Sequence, residues 1–191
     1  MKLLPRYVIY SQSSLIIGLL LCFIIYPGLM LDPGGISNFA LQLSTAIPYT
    51  LGFLLSAIFL MLLAKNYPKN LTQSYKVKLY LNSLAILLLL VLTSSYVFDV
   101  NEFFGWLHKI IGAILITFQI YFGWWLIVIF RLGFFVLFLL GLHVFGALVM
   151  LFSLFTALEI LSLGQITIGL SFAGLLLLAF LNISQTGLNN K

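Results

Sequence analysis

His108 and His143 are the only histidines in the chain. In a hydrophobic sequence, such a pair raises the possibility of axial haem ligation. Their spacing argues against it. The apolar stretches that carry them are expected to be antiparallel helices turning at Arg131, which puts His108 23 residues and His143 12 residues from the turn. At about 1.5 Å of rise per residue, the two differ in depth by roughly 16 Å. One iron cannot take both from a single chain, and no cofactor is expected.

The same arithmetic pairs His143 with Gln119, which lies 12 residues before Arg131. Both then fall near mid-membrane. Lipid offers neither side chain a partner, so the two are expected to face the bundle interior and each other. A structural hydrogen bond between helices is favoured over a substrate or proton site. His108, Gly112, Leu115 and Gln119 share one helical face, because 11 residues complete about three turns. That face is expected to be a close-packed seam at which Gly112 admits a neighbour. The other reading is a polar groove opening outward.

A second constellation gathers at one end of the expected bundle: Asp32, Asn38, Asp99, Glu102, His108, Lys109, Glu159 and Gln165. Carboxylates with a histidine can hold a divalent cation or move protons. No H-E-x-x-H or comparable spacing organises them, and acidic residues are ordinary in exterior loops. They form a candidate binding surface, with no catalytic or metal set assigned. The single cysteine, Cys22, excludes an intrachain disulfide.

Such groups need apolar helices to hold them. Of 191 residues, 63% are hydrophobic and 7% charged. A soluble domain carries about 25% charged residues, so this chain has too little polar surface to coat a water-soluble globule. Apolar runs of about 20 residues predict transmembrane helices, not the alternating segments of a barrel. Six are expected, over about 7–31, 43–64, 79–97, 104–130, 134–156 and 162–181, forming one compact all-α bundle with short loops. The first exceeds the apolar core of a signal peptide and ends in Asp32-Pro33-Gly34-Gly35, a turn sequence. Pro48 is expected in the first turn of the second helix, where its missing N–H costs little. Gly52/Ser56 and Gly169/Ala173 are small-residue pairs suited to helix packing.

Charge then sets orientation. With the N-terminus inside, Lys2, Arg6, Lys65, Lys69, Lys76, Lys78, Arg131 and Lys191 all fall inside, eight of the nine basic residues. Lys109 is the exception. This bias places both termini in the cytoplasm, with the cell membrane as the expected location. It also accounts for the net charge of +5 without a nucleic-acid partner. Trp106 and Trp124 lie 18 residues apart, about 27 Å along a helix, and are expected to mark opposite interfaces. Tyr7, Tyr10, Tyr67, Tyr75 and Tyr80 are expected in the inner aromatic belt.

The stretch Ile36-Ser37-Asn38-Phe39, the pair Pro48-Tyr49, and Leu107-His108 with Gly112 and Gln119 resemble small six-helix membrane proteins of the DRAM-like type. The resemblance extends to the architecture of the whole chain and implies no functional residues. Three functions are open: a non-enzymatic component binding membrane lipids, a partner protein or a second copy of itself; a small transporter or channel; and a membrane enzyme using the outer cluster. They are favoured in that order. Reporter fusions test the topology. A fusion at Asn70 is expected to report inside and one at Asp99 outside; an outside signal at Asn70 would reverse the orientation.

Overall fold

The computed structural model describes residues 3–28, 35–71, 73–155 and 160–189. Six α-helices run in order: α1 (Leu4–Ile25), α2 (Leu43–Asn66), α3 (Ser74–Ser95), α4 (Glu102–Phe130), α5 (Phe134–Phe155) and α6 (Leu161–Asn189). A short 3-10 helix, η1 (Gly35–Ala40), lies between α1 and α2. All six α-helices are long and apolar enough to cross a membrane. The chain is an all-α bundle of the multi-pass membrane type. One end of it carries η1, and the other carries the start of α1 and the end of α6.

The helix limits differ from expectation in ways the residues explain. α1 stops at Ile25, well short of Leu31. α6 continues through the polar residues to Asn189, because Asn, Ser and Gln are tolerated where a helix leaves the membrane. Pro48 lies inside α2, beyond the expected first turn. α4 starts where Asn101 caps it, with the side chain accepting from Phe104 N–H at 3.0 Å and Glu102 in the first turn. It ends at Arg131, whose left-handed backbone (φ 49°) lets Leu132 N–H bond the Ile127 carbonyl.

Lipid gives helices no hydrophobic reason to associate, so close packing has to hold them. α1 packs on α2, α2 on α3 and α3 on α4, while α6 touches both α4 and α1. α5 packs chiefly on α6 and more lightly on α4, so the tight turn at Arg131 does not make α4 its main partner. The α1–α2 seam is a backbone contact. A Cβ on Gly18 would lie 2.7 Å from the Pro48 carbonyl oxygen and 2.8 Å from Gly52 Cα. One turn and more away, Ser11 and Ser56 hydroxyls meet at 3.0 Å. The expected Gly52/Ser56 seam is therefore present. Gly146 and Gly164 make the equivalent approach between α5 and α6. Gly169 is not packed this way: its Cβ would meet nothing within 4 Å.

Packing is uneven along the bundle axis. Near the termini, Leu60, Leu63, Leu81, Phe122, Leu126 and Phe180 have no exposed surface. Toward η1, α4 stands apart, and its first buried residue is Leu115. The seam expected at Gly112 is absent, since a Cβ there would also meet nothing within 4 Å. Trp106 and Trp124 sit toward opposite ends of α4, both more than half exposed. Tyr67 departs from the expected aromatic belt. It is buried just past α2, edge-on to Phe180, and burial pushes its phenol up to about 12.

Gly18→Leu is expected to force α1 off α2 and cost roughly 1–3 kcal/mol or more of unfolding free energy in detergent. Gly112→Ala, which adds a methyl where nothing opposes it, should be neutral or stabilising by up to about 1 kcal/mol. Equal losses from the two would show that backbone contact does not hold the seam.

Candidate functional site

The η1 end holds a buried polar network. Gly35 opens η1 in the left-handed region (φ 59°), where an L side chain would be strained and a Cβ would strike the Gln165 side-chain oxygen. That oxygen accepts from Ile36 N–H at 2.8 Å, tying η1 to α6. Phe39 presents its carbonyl to the Thr45 hydroxyl at 2.7 Å, tying η1 to the first turn of α2. Between these anchors, Ser37 points into the bundle and is 2.8 Å from His108 Nε2.

His108 bridges two hydroxyls, because its Nδ1 is 2.8 Å from Ser94 Oγ. Ser94 sends its proton to the Val91 carbonyl at 3.0 Å. Its oxygen is therefore free to accept from Nδ1–H, while Ser37 donates to Nε2. This assignment satisfies every group with a neutral ring. Phe98 stacks on the imidazole at 5.2 Å. Beside it, Ser95 also donates to Val91, at 2.8 Å, and accepts from the Tyr49 hydroxyl at 3.0 Å. Tyr49 is fully buried, and its hydroxyl lies next to Ser37. Thr50 and Tyr96 hydroxyls make a further bond between α2 and the end of α3.

A serine on one imidazole nitrogen with an orienting group on the other is the layout of an activated nucleophile. Here Ser37 is only 3% exposed, so no substrate reaches it. The network instead fixes η1 against α2, α3 and α4.

The candidate outer cluster does not assemble as one site. Asp32 and Glu159 lie outside the described residues. Asn38 is buried in η1. Asp99, Glu102 and Lys109 line a surface hollow with Trp106, and the Lys109 ammonium sits 5.0 Å from the Trp106 ring centre. His108 hydrogen-bonds serines, not these carboxylates. Among the described residues, no three His, Cys, Asp or Glu side chains group as a metal site.

Gln119 and His143 are both buried in the bundle, at 8% and 0% exposure. The direct bond expected between them is not formed. His143 Nδ1 donates to the Ile168 carbonyl on α6 at 3.2 Å, with Ser171 Oγ at 3.4 Å. The reason is that α5 packs mainly on α6, which offers the nearest free acceptors. The two histidines thus belong to separate networks.

The largest apolar feature is a groove between α1 and α6, with a volume of about 280 Å³. Gln12, Leu15, Ile16, Leu19 and Phe23 form its α1 wall, a stripe at helical spacing. Gln165, Ile166, Gly169 and Leu170 form the α6 wall, and Ile36 and Phe39 of η1 also line it. Gly169 leaves a dent in the floor because nothing packs on it.

No protein-family model, curated protein or solved structure matches the chain.

Sequence reasoning reached Ser37, Tyr49, His108 and Gln165 but missed Ser94 and Ser95. The signal was a serine pair closing an otherwise apolar span. The groove had no such signal, because its walls have the composition of any lipid-facing helix. Replacing Ser37 by Ala and His108 by Leu tests the network. Each single change should destabilise by about 1 kcal/mol, and the double change by less than their sum, with coupling near 0.6 kcal/mol. Strict additivity would mean that the bond contributes nothing to stability.

Proposed function

We propose that the chain is a non-enzymatic, multi-pass lipid-binding protein of the cell membrane. Its α1–α6 groove receives an acyl chain of a membrane lipid. The groove carries the reading: its walls are apolar apart from Gln12 and Gln165, and it lies within spans, where the surroundings are lipid chains. One side of the ring is open at this point, so a lipid enters sideways without passing a polar barrier.

In the same proposal, the termini face the cytoplasm and η1 faces outward, in keeping with the Lys/Arg bias. The DRAM-like resemblance is proposed alongside it. What supports that resemblance is that Ser37, Tyr49 and His108, three of the residues that suggested it, converge at η1.

Native mass spectrometry of the detergent-purified chain, with lipid extraction, is the test. A stoichiometric lipid is expected. Gly169→Leu places a side chain in the open dent and should lower occupancy several-fold while leaving the melting temperature within a few degrees. Unchanged occupancy in that variant, or no retained lipid in the parent, would sink the reading.

A further inference from the structure

Two acceptors inside the bundle have no donor: His143 Nε2 on α5 and Gln119 Oε1 on α4. The ring's single proton is held on the other side, at Nδ1, by the Ile168 carbonyl. Ser171 cannot supply one there, since its hydroxyl goes to the Thr167 carbonyl at 2.6 Å. The carbonyl of Ile116, one turn before Gln119, also faces the imidazole. Every polar group near Nε2 is thus an acceptor. A direct bond between Gln119 Oε1 and His143 Nε2 cannot satisfy either, because neither atom carries a proton. Leaving both bare costs about 1–3 kcal/mol each. A molecule with two O–H groups satisfies both.

The bundle provides a way in. Gly112 lies seven residues before Gln119, about 20° away around the helix, so the two face the same side. Gln119 is buried on that side, yet a Cβ on Gly112 would meet nothing within 4 Å. The space above Gln119 is therefore open. None of α4 before Leu115 is buried, and His108 stands on this face about 16 Å above Gln119. Below Gln119 the route stops, because Phe122, Leu126, Leu175 and Phe180 have no exposed surface.

We infer that His143 and Gln119 form the floor of a hydrated half-channel that enters from the η1 end along the Gly112 face of α4, with water at its floor donating to both. The site is independent of the α1–α6 groove.

Cysteine accessibility in liposomes tests this on the full chain, in a Cys22→Ser background that keeps a donor to the Thr45 carbonyl. An impermeant cationic methanethiosulfonate applied from the η1 side should label Gly112→Cys and Gln119→Cys, and leave Leu126→Cys unlabelled until denaturation. An inert Gly112→Cys would mean a dry face and overturn the inference. So would labelling at Gly112→Cys but not at Gln119→Cys, since water would then stop above the pair. Labelling at Leu126→Cys would replace the half-channel with a through path and overturn it as well. A second measurement needs no variant. In solid-state NMR of the 15N-histidine protein, magnetisation should pass from water to His143 Nε2, and its absence would refute water at the floor.

Discussion

Inside a bilayer, a polar side chain cannot turn to water, and every hydroxyl and ring nitrogen in this bundle must find its partner on another element. The architecture follows from meeting that demand cheaply. Serine and threonine return their protons to carbonyls of their own helix: Thr50 to Ala46, Ser94 and Ser95 to Val91, Ser171 to Thr167. Their oxygens are then free to accept from a neighbouring helix. The Ser11–Ser56, Tyr49–Ser95 and His108–Ser94 pairs all cross helices. Each is worth little alone, about 0.6 kcal/mol on average. Together they specify which helix faces which, where apolar surface alone gives no preference.

Close approach sets the rest. Gly18 and Gly52 let α1 and α2 touch backbone to backbone, and Gly146 and Gly164 do the same for α5 and α6. Where a glycine has no opposing helix, the same residue leaves space. Gly169 opens a lipid-facing groove, and Gly112 an inward-facing gap. One residue type thus makes both the tightest contacts and the emptiest positions, according to what stands opposite.

This explains what was legible in the sequence. Six spans follow from hydropathy alone, because length and apolarity are local properties. That His143 and Gln119 lie inside the bundle follows from the cost of exposing them to lipid. Partner choice did not follow. Equal counts from Arg131 put the two at one depth, but depth does not fix rotation, and α5 turns its histidine toward α6. The small-residue pairs show the same gap: Gly52 and Gly169 read alike in sequence, and only one has a helix against it. η1 escaped notice because six residues of mixed polarity carry no period. Its position depends on Gln165, over a hundred residues away. Asp32 and Glu159 fall outside the described residues, so the outer carboxylates beyond Asp99 and Glu102 add nothing to the structural account.

The carbonyl of Val91 takes the hydroxyls of both Ser94 and Ser95, and through them the last turn of α3 grips His108 of α4 and Tyr49 of α2. The α1–α2 seam adds α1 to the same body. Four helices are thereby clasped into one stiff block, while α5 and α6 are clasped to each other. The boundary between block and hairpin is bridged by far fewer polar ties, chiefly Ile36 to Gln165. Both the α1–α6 groove and the Gln119–His143 gap lie on that boundary. Any breathing of the bundle concentrates there as a swing of the hairpin against the block, widening or narrowing the two spaces in a single motion.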